Sequence, residues 1–188
     1  MLRFKSQGIN RVLVLADQGG GIPIFFTGTA ETQGYRPRLG LTSSSVPQGL
    51  IDEGLVAPEA FRGAVTVGWN PFGDLRLEDA EAGLGYGACI EILEAGGALP
   101  WSDTNNLLVS LRTCDGFLFV RAAIQAGLPD ITGASFVAGA EAQSAFPSAL
   151  TYRVSTAPGR HSGVAAVRHS TYEDACTCFR YSSELRPR

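Results

Sequence analysis

Lysine is almost missing from this chain: of its 15 basic residues only Lys5 is a lysine, the rest being arginines. With abundant alanine and glycine, that bias reflects a GC-rich coding sequence and says nothing of chemistry. Charge of any sign is scarce, at 18% of residues and a net −3, with an isoelectric point near 5.4. A nucleic-acid binder needs a basic face to neutralise phosphates, so that partner class is excluded. No apolar run approaches the ~18–20 residues that span a bilayer, which argues against direct membrane insertion. Residues 1–10 carry Arg3 and Lys5 but no apolar stretch, so no signal peptide is read there.

What is present is a globular composition. Hydrophobic residues make up 45% of 188, enough to build one large domain or two small lobes around a sizeable core. The four cysteines, Cys89, Cys114, Cys176 and Cys178, form an even set that fits an oxidising compartment. Cysteines suggest export while no export signal is found; a chain lacking an N-terminal half would reconcile the two.

Hydrophobic patterning alternates strand and helix. Residues 11–16 form a short apolar run suited to a strand buried on both faces. Gln18-Gly19-Gly20-Gly21 makes a turn into a helix through Ile24 and Thr32 that stops at Gly34. A strand follows over Arg38–Leu41, then the polar loop Thr42-Ser43-Ser44-Ser45, completing a βαβ unit. Ala64–Trp69 is a further strand, closed by Asn70-Pro71. From Leu77 onward, Ala80, Leu84, Ala88 and Ile92 recur at helical spacing, interrupted by Gly83, Gly85 and Gly87. Asp103 or Thr104 can cap a long buried helix containing Leu107, Leu111, Cys114 and Leu118. Asp130 can cap a shorter one over residues 131–143. Beyond Pro147, segments 152–154, 164–168 and 177–181 read as short strands, with an acidic turn at Glu173-Asp174. The expected class is α/β: a parallel βαβ sheet with flanking helices and a β-rich C-terminal tail.

The order of these features carries a resemblance. A strand ending at Ala16-Asp17, a helix leading into Ala30-Glu31-Thr32-Gln33-Gly34-Tyr35-Arg36-Pro37 and a serine loop resemble the second lobe of a type I periplasmic solute-binding protein of the branched-chain amino-acid-binding group. Phe61–Trp69 is similar to that family's crossover strand, Cys114-Asp115-Gly116-Phe117 to the opening of its long helix, and Cys176–Tyr181 to its closing strand. The family's first lobe and its lipoprotein-type export signal have no counterpart, so the resemblance implies a partial chain. Residues 1–68 would form the second-lobe βαβ segment with its crossover strand, 69–128 a hinge and helical segment, and 129–188 a return segment. It further implies a non-enzymatic, extracytoplasmic module of an ABC-type uptake system. That module would need no cofactor, would take a small polar solute by lobe closure, and would meet a membrane permease.

Candidate site residues follow. Asp17-Gln18-Gly19-Gly20 stands at the carboxyl end of the first strand, where open α/β sheets bind ligands, and glycine N–H groups at a helix N-terminus favour a carboxylate or phosphate. Ser43, Ser44 and Ser45 end the next strand on the same edge, with hydroxyls able to accept from an ammonium or donate to a carboxylate. An acidic side chain that some amino-acid-binding relatives use near here is absent. Trp69 either walls the cleft or fills core. Each of these has a plain alternative as a tight turn, a solvated loop or packing.

Cys89 and Cys114 fall nearly level on consecutive antiparallel helices, so they either bridge or stay as buried thiols. Cys176 and Cys178 would be about 6.6 Å apart in a strand, so a bridge needs a bend at Thr177. Zinc held with His161 and His169 matches no standard spacing. Gly133-Ala134-Ser135-Phe136-Val137 begins like a nucleophile elbow but has Val137 where glycine is required. Gly19 and Gly21 satisfy only part of a dinucleotide-binding pattern, since Ile24 occupies the third glycine position. A nucleotide-binding doubly wound enzyme and a ligand-sensing receptor module remain the alternative functions.

Overall fold

The computed structural model describes residues 2–15, 20–98, 104–160 and 162–188. Asp17, Gln18, Gly19, Asp103 and His161 lie outside the described residues. The helices are α1 (Leu2–Ser6), α2 (Gly21–Thr32), α3 (Pro47–Asp52), α4 (Pro71–Asp74), α5 (Tyr86–Ala95), α6 (Thr104–Ala126) and α7 (Gly133–Glu141). The strands are β1 (Arg11–Leu13), β2 (Arg38–Thr42), β3 (Val65–Gly68), β4 (Ala166–Glu173), β5 (Cys178–Tyr181) and β6 (Arg186–Pro187). Two compact units result, one of Met1–Ala80 with Arg168–Leu185 and one of Glu81–Val167 with Arg186–Arg188.

In the first unit the sheet order is β1-β2-β3-β4-β5. β1, β2 and β3 are parallel neighbours, and β4 and β5 each run antiparallel to the strand before. Alternation along each strand sends one set of side chains to a core. Leu39, Leu41, Ala64, Tyr172 and Phe179 are buried there with Leu50 and Phe61, and Ile24 and Phe26 of α2 pack against them. Phe61 meets Phe179 edge-on at 5.5 Å. In the same layer Thr66 and Ser170 join their hydroxyls across the β3–β4 pair at 2.5 Å. The fully buried Gln48 of α3 accepts a hydrogen bond from the Phe179 N–H at 2.8 Å, tying α3 to β5.

The second unit is mainly helical. Cys89 and Cys114 are joined, with Cα atoms 5.8 Å apart, so the level placement expected on α5 and α6 is met. α7 lies tightly on α6: a side chain at Gly139 would stand 2.1 Å from the Ala123 carbonyl oxygen. Asp115 of α6 accepts from the Ala149 N–H at 2.7 Å and from the Leu150 N–H at 3.3 Å, and also from the Ser148 hydroxyl, pinning residues 148–150. Ala166 and Val167, at the start of β4, pair antiparallel with β6.

Several expectations are corrected. The strand expected to be buried on both faces is the sheet's edge strand β1, and Leu13 is 64% exposed. The helix read from Leu77 begins only at Tyr86, after a 3-10 turn at Leu77–Asp79. Backbone contact decides this, because side chains at Gly83 and Gly85 would stand 2.2 Å from the Ser148 oxygen and 2.0 Å from the Pro147 oxygen. Thr132, not Asp130, caps α7, through a reciprocal pair of bonds with Ser135. Residues 152–154 form no strand; Val154 makes isolated bridges to Phe146 and Val164.

Candidate functional site

The carboxyl ends of β1, β2 and β3 lie along one edge, because all three strands point the same way. Backbone pairing continues past β1, where the Val14 N–H donates to the Gly40 carbonyl at 2.9 Å. The chain is described again at Gly20, whose φ of 73° is a left-handed conformation open to glycine, and α2 starts at the next residue. A Cβ on Gly20 would stand 2.8 Å from Leu50 and 3.3 Å from the Ser45 carbonyl oxygen. The α2 N-terminus and the serine segment after β2 are therefore direct neighbours. No acidic residue occupies the first turn of α2, so the helix itself sets no negative charge against its positive dipole end.

The serines do not form a free loop. Ser43–Ser45 is a 3-10 turn in which Ser43 and Ser45 are buried and Ser44 half-buried. The Ser43 hydroxyl donates to Asp74 Oδ2 at 2.7 Å and accepts from the N–H groups of Trp69 at 2.7 Å and Asn70 at 3.1 Å. One donor and two acceptor positions exhaust a hydroxyl. Ser43 thus braces the ends of β2 and β3 against each other. Trp69 is half-buried just past β3.

Two residues here escaped the sequence reading. Asn70 caps the start of α4 and Asp74 is its last residue, and Asp74 is fully buried. Burial pushes the Asp74 carboxyl up to about 7, against the lowering effect of the Ser43 hydroxyl and the Asn70 N–H. Among the described residues, Asp74 Oδ1, Asn70 Oδ1 and Ser45 Oγ are buried without a hydrogen-bond partner. Orphaned polar atoms cost roughly 1–3 kcal/mol each and concentrate where structure serves function. An acidic residue inside the otherwise apolar run Pro71-Phe72-Gly73-Asp74-Leu75 was the available signal.

The other candidates go elsewhere. Cys176 and Cys178 are joined, with Cα atoms 5.1 Å apart, and the bend falls at Thr177, at φ 55°. Both cysteine pairs are thus committed to disulfides, and His169 is exposed on β4. Ser135, suggested by the incomplete elbow, is spent on capping α7: its hydroxyl donates to the Asp130 carbonyl at 2.6 Å and accepts from the Thr132 N–H at 2.8 Å. Among the described residues no helix is long and apolar enough to cross a membrane.

No family model matches the sequence, and no curated protein matches it. Solved structures do match. A branched-chain amino-acid ABC transporter protein from Thermus thermophilus with bound valine aligns at a TM-score of 0.58 and 14% identity, covering 98% of this chain and 48% of that one. A fatty acid ABC transporter substrate-binding protein from Thermomonospora curvata gives 0.57 and 9%, covering 100% and 46%. A type 1 periplasmic binding protein from Bordetella pertussis gives 0.57 and 12%, covering 100% and 48%. The chain is therefore an α/β protein with the fold of the type I periplasmic binding proteins, spanning about half the length of the structures it matches.

Proposed function

We propose that this chain is one wall of a solute-binding cleft, taking a small polar ligand at the carboxyl ends of β1–β3 and serving an ABC-type uptake system. The observation that carries this reading is the convergence of the α2 N-terminus at Gly20 with the serine turn, where the buried Ser45 hydroxyl has no partner among the described residues. A helix start without acidic residues favours an anionic group, so an amino acid or another carboxylate-bearing solute fits best. Ser44 and Trp69 would flank the same group, and Ser43 would hold the wall in shape. Recognition would proceed by lobe closure, ligand contacts favouring the closed population. The matched structures come from substrate-binding and periplasmic proteins. Two disulfides suit the same extracytoplasmic setting and a membrane permease as partner.

Trp69 provides the test. The sequence holds two tryptophans, so a Trp101→Phe variant leaves Trp69 as the sole indole reporter. Titration with amino acids, their amides and simple carboxylates should give saturable fluorescence changes with carboxylates ahead of amides. With a single wall the affinity should be on the order of 1 mM, about −4 kcal/mol. Ser45→Ala should weaken that response several-fold without lowering stability. A flat response across the whole panel would end the proposal.

A further inference from the structure

At the turn between β4 and β5, Cys176 and Cys178 are joined across a single intervening residue. That closure bends the chain at Thr177, which stands at φ 55°. A β-branched side chain suits the left-handed region badly, so the bridged turn is held against the preference of its central residue. Reduction would let Thr177 return to extended backbone. Cys89–Cys114 differs on each count: it joins two helices across 25 residues, and both its cysteines are buried.

Access and charge point the same way. Cys176 is half-buried whereas Cys178 is fully buried, so an incoming thiolate meets the Cys176 sulfur. Arg76 donates to the Cys176 carbonyl, which sets a cation beside the bridge, and guanidinium charge nearby favours thiolate. The carboxylates of the same turn are engaged, Asp174 by Arg62 at 2.8 Å and Glu173 by Arg180 at 3.6 Å. The strands have supports of their own. Thr171 and Tyr172 pair with Arg180 and Phe179 in the ladder, and Gln48 holds the Phe179 N–H at 2.8 Å. The bridge can therefore open with the sheet intact.

We propose that Cys176–Cys178 is a thiol–disulfide exchange site for a dithiol, opening by reduction while Cys89–Cys114 stays closed. One thiolate of the dithiol attacks Cys176 Sγ. The bond between the cysteines breaks, and its electron pair leaves on Cys178 Sγ, which takes up a proton. The second thiolate of the dithiol then attacks the sulfur that its own molecule has placed on Cys176. Cys176 is released as a thiolate and takes up the second proton. The dithiol departs as an internal disulfide, having given two electrons to the bridge. None of this needs a solute at the strand ends, so the inference stands or falls apart from the cleft.

The test equilibrates the whole chain along a dithiothreitol ladder without oxygen, traps free thiols with N-ethylmaleimide and locates the label by peptide mass spectrometry. Half-labelling of Cys176 and Cys178 should need at least about tenfold less dithiothreitol than that of Cys89 and Cys114, with cooperative melting retained. Thr177→Gly should raise the requirement about two- to fivefold by relaxing the bridged turn. Thr177→Asn, which also tolerates the left-handed region, is the second probe if the glycine variant does not fold. A parallel ladder with a protein dithiol of Cys-X-X-Cys type separates the sources. Labelling in both ladders assigns the exchange to protein dithiols as well as small ones, and labelling by dithiothreitol alone restricts it to small ones. Both bridges opening together, Cys89–Cys114 opening first, or opening only where the chain unfolds overturns the proposal. So does a Thr177→Gly midpoint that stays put or falls.

Discussion

The Ser43 hydroxyl and the Asp74 carboxylate lie 2.7 Å apart with both residues buried, so a side chain at the end of β2 holds the helix that follows β3. The pairing determines how stability varies with pH. Asp74 has its carboxyl raised from 3.8 to about 7, first by burial. A raised carboxyl binds its proton more tightly in the folded state. Its contribution is therefore greatest below the unfolded value of 3.8 and is lost as pH climbs to about 7. The full swing is at most about 4 kcal/mol. Asp74→Asn should remove it: in urea melts, the variant gains on the wild type steadily from pH 4 to pH 7 and then keeps a constant margin. A parallel pair of curves would refute the assignment.

Ser43 and Ser44 are adjacent, yet they should respond very unequally to truncation. Ser43→Ala strips the Trp69 and Asn70 N–H groups of an acceptor and Asp74 of a donor, costing about 2–3 kcal/mol. Ser44→Ala, at a half-buried position, should stay within about 0.5 kcal/mol. Equilibrium denaturation of the two variants side by side checks the contrast.

Glycine-to-alanine exchanges should split by surroundings. Gly28 in α2 and Gly116 in α6 have open space where a Cβ would stand, so alanine should stabilise by about 0.5–1 kcal/mol through helix propensity. At Gly139 the new carbon would lie 2.1 Å from the Ala123 carbonyl, and at Gly68 it would lie 2.3 Å from Asp74 Oδ2. Both should destabilise by more than about 2 kcal/mol. Melting temperatures of the four variants give the answer directly.

The two disulfides should contribute unequally. Cys89–Cys114 spans 25 residues and Cys176–Cys178 only 2. Loop-closure entropy puts the first at about 3.5 kcal/mol and the second at about 1–2 kcal/mol. Double alanine variants, melted without reductant, should preserve that ranking. Thr177, β-branched at φ 55°, should gain about 0.5–1 kcal/mol on exchange for glycine, provided the bridge is intact.

The α/β order was legible because β-branched runs and glycine or proline punctuation are local signals. Arg38–Thr42, Val65–Gly68 and the stop of α2 before Gly34 fall where the pattern puts them. The Cys89–Cys114 bridge was legible as a possibility for a related reason, since helix rise fixes the level of each cysteine. Contacts distant in sequence were not legible. Nothing near Gly83 or Gly85 announces the backbone at Pro147 and Ser148 that keeps helix from forming there. Periodicity could not reveal that β1 is an edge, because exposure depends on which neighbour is absent. The serine segment was found, but the use of Ser43 was not, because its partner Asp74 lies 31 residues away.

Because Cys89 and Cys114 join α5 to α6 covalently, the peptide linkage between those helices is not the only thread holding them together. A protease cut anywhere between Gly96 and Thr104 would leave a single band on a non-reducing gel and two on a reducing one. New chain termini opened at that point would still belong to a molecule tied shut by sulfur.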